Sequence, residues 1–138
     1  MISRILMAYD GSDPAKKAYD FALDLAQKYQ AEAWVLTVVR PPDFAEDVET
    51  EAIVEGSRKF HQRLLAQLKQ QSAGTKLHIH FELAVGHPAE QIIYHAEQHK
   101  VDLVVMGHRG KTFLQRWRLG SVSTRVMQYA HCAVLVVR

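Results

Sequence analysis

Residues 5–14 run Ile5-Leu6-Met7-Ala8-Tyr9-Asp10-Gly11-Ser12-Asp13-Pro14, and the reading of the fold starts from this stretch. Its five leading residues form an apolar run, short enough for a strand and consistent with burial in a sheet. A turn of small and acidic residues follows. Asp13 before Pro14 predicts a helix with Asp13 as N-cap and Pro14 at the first position, where a missing N–H goes unnoticed. Apolar residues then recur at Ala18, Phe21, Ala22, Leu25, Ala26 and Tyr29, which is one helical face. A buried strand turning directly into an amphipathic helix is the opening of a βα unit.

Outward from there the unit repeats. Ala33 to Val39 is a second apolar run, ended by Arg40-Pro41-Pro42. A second helix is expected from Ile53, Val54, Phe60, Leu64, Leu65 and Leu68, closed by Ser72-Ala73-Gly74-Thr75. Leu77, Ile79, Phe81 and Leu83 alternate with His78, His80 and Glu82, a strand with one more polar face, as at a sheet edge. Gly86-His87-Pro88 turns the chain into a third helix with Ala89, Ile92, Ile93 and Ala96 inward. Val101 to Met106 is another buried-type run, interrupted by Asp102. Gly107 to Leu119 has the composition of a long loop. Gly120-Ser121 opens a last helix bearing Val122, Val126, Met127 and Ala130, and Cys132 to Val137 is the last strand. The order β-α-β-α-β-α-β-α-β implies an α/β fold with a parallel sheet, helices on both faces and right-handed crossovers. No repeat or linker divides the chain, so residues 1–138 are expected to form a single domain.

Composition narrows the function classes. With 48% hydrophobic and 23% charged residues, the chain is no disordered, collagenous or disulfide-rich module. Seventeen Lys and Arg against fifteen Asp and Glu argue against a protein that mainly coats nucleic acid. That balance is a cancellation. Residues 103–138 carry six bases and no acid, whereas residues 41–57 carry six acids and no base. The single cysteine, Cys132, forms no internal disulfide and no Cys-based zinc site. The amino-terminal apolar run is too short for a signal-peptide core, and no run approaches a membrane span. A cytoplasmic protein is expected, with neither membrane nor nucleic acid as partner.

In open α/β sheets, ligands bind beyond the carboxyl ends of the strands, where strand order reverses. If the first and fourth strands are neighbours there, Asp10-Gly11-Ser12 meets Gly107-His108-Arg109-Gly110. Gly120-Ser121-Val122-Ser123, at the start of the last helix, then faces the same crevice with N–H groups that attract an anion. The glycines allow close backbone approach, and Ser121 and Ser123 add hydroxyls. No Gly-x4-Gly-Lys-Ser/Thr loop or Gly-x-Gly-x-x-Gly fingerprint is present.

Gly107-x2-Gly110-x9-Gly120-Ser121 strongly resembles the ATP-binding motif of the universal stress protein family. The resemblance spans nearly the whole chain, including Gly86-x-Pro88, Asp102-Leu103-Val104-Val105-Met106-Gly107 and Cys132-Ala133-Val134-Leu135-Val136-Val137. It implies a Rossmann-like (adenine nucleotide alpha hydrolase-like) open sheet of five parallel strands in the order 3-2-1-4-5. It also implies ATP, or AMP or ADP, as ligand. By position, Ala8, Tyr9 and Asp10 lie near the adenosine end, with Asp10 as a contact for Mg²⁺ carried by the nucleotide. Val38 matches a residue whose backbone meets adenine. Met106 and Gly107 line the ribose, and Arg109, Gly110, Gly120, Ser121, Val122 and Ser123 surround the phosphates. Ala133 departs from the proline that many members carry there. The resemblance further implies a homodimer through Ala133–Val137, an edge strand otherwise bare.

Other chemistry is less supported by the residues. His78 and His80 share a strand face, and His95 and His99 share a helix face. No Cys or acidic residue at ligand spacing completes either pair, so they read as surface histidines. Cys132 reads as a packing residue, Trp34, Phe60 and Phe81 as core or sheet-surface aromatics, and no catalytic residue is assigned. The expected function is a nucleotide-binding stress-response regulator. The alternatives are a slow Mg-dependent ATP hydrolase and a nucleotide-stabilised scaffold that docks a protein partner on the acidic 41–55 segment.

Overall fold

The computed structural model describes residues 1–42, 48–108 and 119–138. Its elements are β1 (Arg4–Ala8), α1 (Asp13–Tyr29), β2 (Glu32–Val39), α2 (Val48–Gln71), β3 (Ile79–Val85), α3 (Pro88–Gln98), β4 (Leu103–Gly107), α4 (Ser121–Tyr129) and β5 (Ala133–Val137). The five strands form one parallel sheet in the order β3-β2-β1-β4-β5. This is the order that the resemblance implies.

Alternation along the strands splits the core in two. Ile5, Met7, Ala33, Val35, Leu103 and Val105 point to one face and pack with Ala15, Ala18, Ala22 and Ala26 of α1 and Leu65 and Leu68 of α2. Leu6, Trp34, Leu36, Val104 and Met106 point to the other face and meet Ala89, Ile92 and Ala96 of α3 and Val126 of α4. Strands covered on both faces must be apolar throughout, which is why the central runs lack a polar alternate. β3 and β5 are the edges, and their residues are mostly half-buried.

Several inward assignments are corrected. Phe21, Tyr29, Ile53, Phe60 and Met127 are exposed. Helix α1 presents a stripe of alanines together with Tyr19, and Phe21 falls on its flank. The N-cap of α1 is Ser12, not Asp13: Ser12 Oγ accepts from the Ala15 N–H at 3.3 Å, and Asp13 begins the helix. A cap needs extended backbone, and Ser12 has it (φ −69°, ψ 162°). Among the described residues no helix is long and apolar enough to cross a membrane.

Candidate functional site

The sheet reverses direction of growth at β1. From β1 the chain builds β2 and β3 on one side, and α3 then carries it back to β4 on the other. The β1–β4 register is Ile5 with Leu103, Leu6 with Val104 and Met7 with Val105, so the carboxyl ends of both strands open side by side. That is the switch-point crevice of an open α/β sheet.

Three segments meet there. After β1, Tyr9 is buried and its N–H donates to Leu36 O at 2.9 Å. Burial, with Asp10 beside it, pushes the Tyr9 phenol up, so the ring stays neutral. Asp10 Oδ1 accepts the Ser12 N–H at 2.9 Å, closing the turn over Gly11, whose φ of +82° a side chain would strain. After β4, the His108 N–H donates to Val137 O at 2.9 Å, which ties the crevice to β5. At Gly107 an added Cβ would lie 2.8 Å from the carbonyl carbon and Cβ of Pro14, so glycine lets the first turn of α1 seat on β4.

The third segment is the amino end of α4. The Gly120 N–H donates to His108 O at 2.8 Å, and Gly120 caps the helix in extended conformation. The Thr124 N–H donates to Gly120 O at 3.0 Å as the first intrahelical bond, so the N–H groups of Ser121, Val122 and Ser123 precede the helix's own acceptors. Ser123 is buried, and its hydroxyl donates to Gly107 O at 2.9 Å and His108 O at 3.3 Å. It therefore latches α4 onto the end of β4, whereas the sequence reading made it a phosphate donor. Ser121 is exposed.

Ala8, Val38 and Met106 pack with the α3–α4 side of the core, Met106 fully and the other two partly. Arg109 and Gly110, together with Lys111, Arg116, Trp117 and Arg118, lie outside the described residues. A cleft of about 310 Å³ opens beyond the end of β2, lined by Arg40, Pro41, Pro42, Ile53, Val54 and Ser57. His108, which the sequence left without a role, has a buried Nδ1 with no hydrogen-bond partner among the described residues. Burial pushes the Cys132 thiol up, which suits a packing residue and not a thiolate.

The histidine pairs are also corrected. Acidic partners do complete them, from other elements: Glu82 on β3 meets His95 and His99 of α3, and Glu32 on β2 meets His78 and His80.

Together the fold and the crevice define an open, doubly wound α/β domain with a switch-point crevice between the carboxyl ends of β1 and β4. The chain belongs to the universal stress protein family, whose model matches residues 1–138. It is 37% identical over 141 residues to universal stress protein MJ0531 of Methanocaldococcus jannaschii, covering 100% of this chain and 83% of that protein. Among solved structures, universal stress protein UspA from Lactobacillus plantarum superposes with a TM-score of 0.92 at 28% identity, over 99% of this chain and 98% of that one. A universal stress protein solved in complex with cAMP matches with a TM-score of 0.75 at 25% identity, over 99% of this chain and 97% of that one.

Proposed function

We propose that the crevice holds an adenine nucleotide, ATP or its AMP or ADP relatives, and that this protein is a nucleotide-responsive regulator of the stress response. The observation that carries the reading is the Gly120–His108 bond, which brings the amino end of α4 to the mouth of the β1–β4 crevice. First-turn N–H groups and the helix dipole favour a phosphate there. The excess of basic residues over 103–138 adds long-range attraction for an anion. The relative solved with cAMP supports an adenine ring as the ligand's other end.

In this reading Ala8, Tyr9, Asp10 and Val38 form the adenosine side, and Met106 and Gly107 flank the ribose. Arg109, Gly110, Gly120, Ser121, Val122 and Ser123 surround the phosphates, Ser123 through its backbone N–H. With ATP, Mg²⁺ would supply charge neutralisation between the phosphates, and Asp10 is the carboxylate available to it. The half-buried β5 edge supports a homodimer formed through Ala133–Val137. The lone free thiol of Cys132 fits a reducing, cytoplasmic setting.

Mass spectrometry of small molecules released from the purified, denatured protein tests the ligand. An adenine nucleotide is expected, together with a thermal shift on adding Mg·ATP that Gly110→Val and Gly120→Val abolish while far-UV circular dichroism is retained. No nucleotide and no shift, or unchanged affinity in both variants, overturns the reading. Phosphate release above buffer level, lost in Gly120→Val, would replace the regulator with the hydrolase.

A further inference from the structure

The packing of the last turn of α3 against β3 carries a second constellation, apart from the crevice. Glu82 lies in the middle of the edge strand β3, on the face that α3 covers, and His95 and His99 lie one helical turn apart near the end of α3. His95 Nδ1 is 3.0 Å from Glu82 Oε2, and His99 Nε2 is 3.0 Å from Glu82 Oε1. The three ligand atoms lie within 4.8 Å of one another. The side chains are only 20%, 28% and 26% exposed for His95, Glu82 and His99. His99 is held from outside the cluster: Trp34 stacks on its ring with centroids 4.7 Å apart, and Arg4 Nη1 donates to its backbone O at 3.1 Å.

We propose that Glu82, His95 and His99 bind a divalent metal ion of the zinc class. Imidazole nitrogen suits Zn²⁺, Co²⁺, Ni²⁺ and Cu²⁺, and a carboxylate oxygen joins it without penalty. Ligand atoms around a tetrahedral zinc stand about 3.3 Å apart, as follows from Zn–N and Zn–O distances near 2.0–2.2 Å. The two 3.0 Å contacts therefore need to open by only a few tenths of an ångström. Three protein ligands leave a fourth position for water or an outside ligand. Bound there, the ion ties the edge strand β3 to the last turn of α3.

Two imidazole N–H groups donating to one carboxylate would give the same short contacts without metal, so the test must see the ion itself. The neighbouring Glu32, His78 and His80 set serves as the internal comparison. Its His78 is 74% exposed and stands 3.6 Å from Glu32, a looser arrangement. The experiment is calorimetric titration of the full chain with Zn²⁺, and with Co²⁺ to record visible d–d bands. Trp34 fluorescence is followed in a Trp117→Phe background. The expected result is one saturable Zn²⁺ event and tetrahedral-type Co²⁺ bands. Glu82→Gln, His95→Gln and His99→Gln each weaken it at least tenfold, whereas Glu32→Gln leaves it within twofold. Trp34 stacks on His80 of the comparison set as well as on His99, so Cu²⁺ quenching is read in both variants and is expected to fall in Glu82→Gln and not in Glu32→Gln. Metal-free circular dichroism of each variant guards against misfolding, and Glu82→Gln, on a surface strand, carries the test if a helix variant fails. Absence of a saturable event overturns the proposal. So does wild-type affinity in Glu82→Gln, or loss in Glu32→Gln with retention in Glu82→Gln.

Discussion

Replacing Gly107 by alanine tests the contact that sets the crevice. The new Cβ would stand 2.8 Å from both the carbonyl carbon and the Cβ of Pro14 and 3.0 Å from Pro14 O. Carbon atoms prefer about 3.5–4.0 Å, so α1 and β4 must separate by about 0.7 Å or more. No rotamer relieves this, because two of the three atoms belong to the backbone. Overpacking of this kind costs about 1–3 kcal/mol, and a backbone obstacle places Gly107→Ala in the upper half, about 2–3 kcal/mol. Unfolding entropy near 2.1 cal/mol/K per residue gives about 290 cal/mol/K for a chain of this size. The expected fall in Tm is therefore about 7–10 °C. Scanning calorimetry reads it directly. Gly74→Ala is the control, since a Cβ there meets nothing within 4 Å. The displacement also moves the Asp10 turn away from α4, so the thermal shift produced by Mg·ATP should shrink in Gly107→Ala. A Tm within 2 °C of wild type would refute the seating of α1 on β4.

Four further outcomes are expected. Gly56→Ala, exposed on α2 with nothing within 4 Å of the new Cβ, should stabilise the protein by about 0.5–1 kcal/mol in urea melts, the helix-propensity gain over glycine. Ser123→Ala should cost about 1–2 kcal/mol, because it takes the buried hydroxyl donor from the Gly107 carbonyl, whereas His108 O keeps the Gly120 N–H. Asp102 accepts from the Ser3 N–H, the Ser3 hydroxyl and the Arg4 N–H, which hold its carboxyl below the usual range. Its stabilisation is complete above the unfolded carboxylate value near pH 4 and lost as pH falls through the lower native value. Asp102→Ala should therefore cost about 1 kcal/mol at neutral pH, modest for so exposed a group, and the difference from wild type should vanish in acid. Light scattering should give twice the 15.7 kDa chain mass, and a single-chain mass would refute the β5 dimer.

The βα alternation, the edge character of β3 and the Gly107-x2-Gly110-x9-Gly120-Ser121 spacing were all legible in the linear chain. They depend on periodicity and turn chemistry within a few residues, which neighbouring side chains encode directly. The strand order came only through family resemblance, since alternation alone permits several orders. Side-chain roles were harder. Which flank of an amphipathic helix meets the sheet depends on its rotation over the strands, and Phe21, Phe60 and Met127 lie exposed for that reason. Ser123 looked like a ligand donor, and only the seating of α4 on β4 showed its hydroxyl bound to Gly107 and His108.

The histidines show the division most clearly. Spacing placed His95 and His99 on one helix face and could go no further. Glu82 reaches them because α3 folds back along β3 and lays its last turn beside that strand's midpoint, a packing event between residues 13 and 17 positions apart. Local order in the chain determined the elements and the motif. The contacts that give individual side chains their chemistry came from how helices dock on the sheet, where shape and burial across the whole domain choose one arrangement.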